Sequence, residues 1–208
     1  MDIQYYGGNC VRIVTKKAAV VVDDNLASLG LKSVTKPDDI ALQTNKTVPV
    51  AGPSKFAINS AGEFEVSGVS VQSISAKAHG DGDDIKTGTI FRLIIDDIIV
   101  VITGSVSPDL SDAQLEALGH VDVLIVPVGG FGLSIDSVDA LKLIKKIEPG
   151  LVIPTHYQDK GVKYPVEQQS LEEALKGLAM EARETVPKLK LKPADLSEVT
   201  ELVVLERQ

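Results

Sequence analysis

The chain has 208 residues, 44% of them apolar and 24% charged. That composition excludes wholesale disorder and collagen-like repeats and fits one domain over residues 1–208. Acidic residues outnumber basic ones 29 to 21, and the lysines stand in ones and twos, so no basic patch exists to hold a nucleic acid.

Cys10 is the only cysteine, which excludes an internal disulfide and a cysteine-based zinc cluster. With four Phe, four Tyr and no Trp, the core must be mostly aliphatic. Met1-Asp2-Ile3-Gln4 does not read as a signal peptide. Apolar runs such as Ile98–Ile102 are too short to span a bilayer. The expectation is a cytoplasmic protein with neither a membrane nor a nucleic acid as partner.

The first half reads as strands. Ile3–Tyr6, Val11–Val14 and Ala18–Val22 are short, β-branched and punctuated by Gly7-Gly8 and Lys16-Lys17. Asp23-Asp24-Asn25 ends the third abruptly. Residues 26–39 read as loop or weak helix, Ile40–Gln43 as a strand, and Thr44–Pro53 as loop. Two hairpins follow: Glu63–Val66 with Val69–Ser75 across Ser67-Gly68, and Thr89–Ile95 with Ile98–Thr103 across Asp96-Asp97. The Gly- and Asp-rich segment from His79 to Asp84 separates them as a loop.

The second half alternates helix and strand. Ser111 and Gln114 form a capping box at the start of a helix that Gly119 closes. Val123–Val126 is a buried strand. Val138, Leu141, Ile144 and Ile147 share one face of a second helix ended by Pro149-Gly150. Leu151–Ile153 is a strand leading into Pro154-Thr155-His156-Tyr157. Leu171, Leu175 and Leu178 mark a third helix, Pro187–Pro193 reads as a linker, and Leu202–Leu205 is the last strand. Hairpins followed by α/β units predict two packed sheets with helices outside.

Chemistry-bearing patterns are few. Gly129-Gly130-Phe131-Gly132 lacks the lysine and the spacing of a phosphate loop and reads as a tight strand-to-helix turn. Gly104-Ser105 follows a strand without completing a nucleophile elbow. The histidines are His79, His120 and His156. His120 reads as a surface or structural residue. His79 lies in a loop near several aspartates, and His156 follows a strand end, where sites in α/β folds gather.

Together these segments resemble the metallo-β-lactamase fold, in particular its small "metal-dependent hydrolase, β-lactamase-like" branch, over about residues 1–175. The most specific pieces are Pro127-Val128-Gly129-Gly130 and Pro154-Thr155-His156-Tyr157. Residues 3–10 resemble the branch's opening strand and Gly-His turn. Val20-Val21-Val22-Asp23 resembles a strand ending in Asp, Gly62–Val69 the central hairpin, and Thr103-Gly104 the strand before a Gly-Asp pair. The resemblance implies a four-layer α/β/β/α sandwich with a metal site at one edge of the two sheets.

It also implies site positions, and the chain departs from the family at most of them. The hallmark Thr-His-x-His-x-Asp-His is replaced here by Thr44-Asn45-Lys46-Thr47-Val48-Pro49-Val50. The Gly-Asp pair becomes Gly104-Ser105, and the opening Gly-His becomes Gly7-Gly8. Only His156 matches a metal ligand of the family. The family-site positions are therefore Asp23, Asn45, Thr47, Ser105 and His156. Two-metal hydrolysis needs both ions held close around an acidified water. Lys46 adds a repelling charge, and Asn45 and Thr47 are weak zinc ligands.

The expectation is a non-catalytic binding domain with no cofactor, taking a small molecule or a protein as partner. Exposed strand edges leave a homo-oligomer open. Two enzymatic alternatives stand beside it. One is a hydrolase with a mononuclear site for zinc or another divalent metal from His79, Asp81 and His156. The other is a metal-free hydrolase with Ser105 as nucleophile and His156 as base, which requires the two in hydrogen-bond reach. Asp23 in turn can simply accept backbone N–H bonds, and Thr155 and Tyr157 read as packing or capping residues.

Overall fold

Nearly every β-branched run becomes a strand in the computed structural model, which describes residues 1–45, 52–80 and 87–208. In chain order the strands are β1 (Asp2–Gly7), β2 (Cys10–Val14), β3 (Ala19–Val22), β4 (Ile40–Leu42), β5 (Phe56–Ile58), β6 (Gly62–Val66), β7 (Val69–Lys77), β8 (Thr87–Ile95), β9 (Ile98–Ile102), β10 (Val123–Pro127), β11 (Leu151–Thr155), β12 (Glu184–Val186), β13 (Leu189–Lys190) and β14 (Glu201–Leu205). The helices are α1 (Asp112–Leu118), α2 (Ser137–Ile147) and α3 (Leu171–Leu178).

The strands form two sheets, ordered β13-β1-β2-β3-β4-β5 and β12-β14-β11-β10-β9-β8-β7-β6. In the first, β1 to β3 run antiparallel, while β4 and β5 lie parallel to β3. In the second, the β6–β9 hairpins are antiparallel, and β9, β10, β11, β14 and β12 are parallel. Parallel strands bring their carboxyl ends to one edge, and open α/β sheets place ligands there.

Alternation assigns the faces. Ile3, Tyr5, Val11, Ile13, Val20 and Val22 of the first sheet join the large core shared with the second sheet. Val21 and Cys10 point the other way, into a small cluster with Leu26. That outer face is covered by a 3-10 turn at Leu26–Leu29 and the loop after it. Asp24 holds the loop, accepting from the Ser33 hydroxyl, the Val34 and Thr35 amides and the Thr35 hydroxyl at 2.6–2.9 Å. On the second sheet α1 packs on β7, α2 on β10, and α3 on α2. β10 is buried along its whole length, as a strand covered on both faces must be.

Local signals set the helix ends. The Ser111–Gln114 capping box is present, and Ser170 with Glu173 forms another at the start of α3. The apolar face of α2 differs from the one predicted. Ala140, Leu143, Ile144 and Ile147 are buried, whereas Val138 is 54% exposed. Spacing the large residues alone ignored Ala140, which packs as well as a larger side chain where α2 lies close. The Pro187–Pro193 linker is also corrected. Leu189-Lys190 pairs with β1, so this segment closes the edge of the first sheet. Residues 184–186 and 201–205 extend the second, so the C-terminal segment belongs to both sheets. No helix among the described residues is long and apolar enough to cross a membrane.

Candidate functional site

The carboxyl ends of β3, β4, β9, β10 and β11 surround a cavity of about 590 Å³. Asp23, Thr44, Ser105, Pro127 and His156 line it from those ends, and Asn9 enters from the β1–β2 turn. Asn45, Leu133, Ser134 and Lys163 complete most of the wall.

One half is built on Asp23. The residue is 5% exposed and has φ +48°, a left-handed backbone that Asp tolerates better than most side chains. Its Oδ1 accepts the Thr44 amide at 2.7 Å. Its Oδ2 accepts the Thr44 hydroxyl at 2.6 Å and the Asn9 amide Nδ2 at 2.7 Å. Asn9 Oδ1 in turn accepts the Thr155 hydroxyl at 2.6 Å. This chain runs from the first sheet to the second and pins them together at their ends. Burial pushes the Asp23 carboxyl above its ordinary range, and the hydrogen bonds from Thr44 and Asn9 oppose that shift. Gly104 makes the arrangement possible: a Cβ there would lie 2.3 Å from Thr44 Oγ1, and its φ is +56°.

The other half is built on His156, 9% exposed and also left-handed at φ +60°. Two polar residues at strand ends thus share a conformation that costs energy and is common at working sites. His156 Nδ1 lies 3.0 Å from Gln168 Oε1. The Gln168 side-chain amide nitrogen, Nε2, donates to the Val166 and Glu167 carbonyls at 3.1 and 2.7 Å. Burial lowers the imidazole's pKa below its ordinary value, favouring the neutral ring. Gly129 allows the pair its position, since a Cβ would stand 2.1 Å from the His156 carbonyl oxygen and 2.3 Å from Gln168 Oε1. Its role is close approach as well as turning.

The remaining predicted residues divide. Ser105 lines the cavity, but among the described residues its hydroxyl has only a long 3.5 Å contact to the Leu133 carbonyl and no hydrogen bond to His156. His79 does not line the cavity; its backbone N–H donates to the Ser105 carbonyl at 3.0 Å. Asn45 lines it, whereas Lys46, Thr47, Asp81, Asp83 and Asp84 lie outside the described residues. His120 is a surface residue paired with Asp122 at 2.9 Å. Tyr157 packs, its hydroxyl donating to the Leu205 carbonyl at 2.8 Å. Asn9, Gln168 and Lys163 were not anticipated. Each is a polar residue in a turn or loop without a recurring spacing, so no sequence signal marked it.

A family model described as a beta-lactamase superfamily domain matches residues 2–156. The chain belongs to the β-lactamase superfamily.

Among solved structures, a candidate Zn-dependent hydrolase of the metallo-β-lactamase superfamily from Thermotoga maritima is 22% identical, with TM-score 0.78, covering 100% of this chain and 99% of its own. Igni18, a metallo hydrolase from Ignicoccus hospitalis, is 15% identical, with TM-score 0.61 and coverage of 86% and 90%. The metallo-β-lactamase fold protein YhfI from Bacillus subtilis is 10% identical, with TM-score 0.55 and coverage of 99% and 96%. No curated protein matches. These likenesses establish the metallo-β-lactamase fold, which does not by itself name an activity.

Superfamily membership implies a metal, and the cavity's donor set tests the implication. Zinc sites take three or four His, Cys or carboxylate ligands. Among the described residues lining this cavity only Asp23 and His156 are of those types, and no group of three or more is placed to hold an ion. Asp23 has three of its roughly four acceptor positions filled by Asn9 and Thr44. The lysine at the wall, Lys163, adds a positive charge. The residues described here do not fit a superfamily metal centre.

Proposed function

We propose that this β-lactamase-superfamily protein is a non-catalytic binding domain whose cavity takes a small polar molecule without a metal. The observation that carries the reading is the hydrogen-bonded chain Thr155–Asn9–Asp23–Thr44, which spends the buried carboxylate on holding the two sheets. What remains at the wall is a neutral imidazole, hydroxyls, amides and the Lys163 side chain around a space of about 590 Å³, the size of a small-molecule site. The metal-free hydrolase reading has less support, since among the described residues Ser105 has no base bonded to its hydroxyl. The mononuclear reading lacks a converging His79.

The test is a thermal-unfolding screen against small polar metabolites, each run with and without a chelator. A ligand that raises Tm equally in both, and loses that effect in His156→Ala, supports the reading. Stabilisation that the chelator abolishes, or turnover of the ligand during the assay, overturns it.

A further inference from the structure

Gln168 is an internal residue with a fully determined amide. It is 3% exposed. Its nitrogen faces two carbonyl oxygens, those of Val166 and Glu167. Carbonyls only accept, so the nitrogen cannot be exchanged with the oxygen without losing both bonds. The oxygen must therefore face His156, and an oxygen accepts. The proton between them belongs to His156 Nδ1. A neutral imidazole carries one proton, so Nε2 holds a lone pair.

That lone pair has no partner among the described residues, and Nε2 is not among the enclosed unpartnered atoms. His156 lines the cavity while its Nδ1 edge is turned against Gly129 and Gln168. The opposite edge is the one left for the cavity. The ring itself is held: Tyr164 packs on it at 5.1 Å between centroids, and Tyr164 is anchored through its hydroxyl to the Tyr157 carbonyl and the Gly8 amide.

We infer that Gln168 is a positioning residue that locks His156 in the Nδ1–H tautomer, so that the cavity presents Nε2 as a fixed hydrogen-bond acceptor and selects a small ligand carrying a hydroxyl or amide N–H donor. The choice of ligand class rests on the binding reading above; the tautomer does not. A ligand offering only acceptors would face a lone pair it cannot satisfy, and an unpaired polar contact in an enclosed site is costly.

Long-range nitrogen–proton correlation spectra of protein labelled with ¹⁵N-histidine, recorded where His156 is neutral, read the tautomer directly. The wild type should show His156 protonated at Nδ1 alone. Gln168→Leu removes the acceptor and should shift the ring toward Nε2–H. A wild-type ring protonated at Nε2 overturns the inference, and this result needs no variant to fold. Xylitol, rich in hydroxyl donors, should then move the Nε2 resonance, and 1,2-dimethoxyethane, which only accepts, should not. A response to the ether alone overturns the donor class. An Nδ1–H ring that responds to neither probe leaves the positioning role standing and counts against the binding reading and the ligand class with it.

Discussion

The two halves of the cavity use similar strand-end residues for opposite ends. Asp23 and His156 are both buried and both left-handed, and a glycine that could not carry a side chain lies against His156 in one half and against Asp23's partner Thr44 in the other. Yet Asp23 turns inward and takes three donors from Asn9 and Thr44. His156 is tied at one nitrogen and open at the other. The comparison teaches that a polar residue at a family-site position can be retained for architecture on one side and for presentation on the other. Position in the fold alone does not tell which; the partners of each polar atom do.

The largest effects should come from the two glycines. Gly129→Ala puts a methyl 2.1 Å from a backbone oxygen, and Gly104→Ala puts one 2.3 Å from Thr44 Oγ1 in a left-handed residue. Each should cost about 3 kcal/mol in urea unfolding, the upper range for overpacking. Gly129→Ala should also disturb the His156 ring, and Gly104→Ala should leave it as it is. A loss below about 1 kcal/mol in either would mean the halves are looser than drawn.

Next comes removal of the side chains themselves. Asp23→Ala strands buried donors on Thr44 and Asn9 and should cost about 2 kcal/mol. His156→Ala leaves Gln168 Oε1 without its donor and should cost about 1 kcal/mol. Equal costs, or the reverse order, would break the distinction between a structural half and a presenting half.

The two halves should also respond to pH with opposite sign. Burial places the His156 pKa below the 6.5 of an ordinary histidine. Its neutral form is the one the fold prefers, so its contribution is complete above pH 6.5 and is lost as pH falls through the folded value. Burial raises Asp23 above 3.8, so its contribution is complete below pH 3.8 and is lost as pH rises through its folded value. Stability measured against pH should therefore fall less steeply on the acid side of 6.5 in His156→Gln than in the wild type. An unchanged slope would mean the ring titrates as if exposed. The smallest effect is Ser105→Ala, within about 0.5 kcal/mol, because its hydroxyl makes only a long contact among the described residues.

The outline of the fold was legible because β-branched runs and turn residues announce strands locally. Phe56-Ala57-Ile58 was missed because it becomes a strand through parallel pairing with β4, a partner far from any local signal. Leu189-Lys190 was missed because two residues between prolines carry no period, and only β1 makes them a strand. In the site, Asp23, Ser105 and His156 were visible as strand-end residues matching family positions. Gln168 was not, because its role depends on a fold-imposed meeting with a residue 12 positions earlier. Asn9 was read as part of a turn, and its link to Thr155 crosses 146 positions of sequence.

The central claim is that the cavity does its work without a metal. Elemental analysis of untagged protein, purified without chelator, offered zinc, manganese and iron and then desalted, tests it most directly. The account predicts no metal near one equivalent per chain. One or two equivalents, lost in His156→Ala, would contradict it.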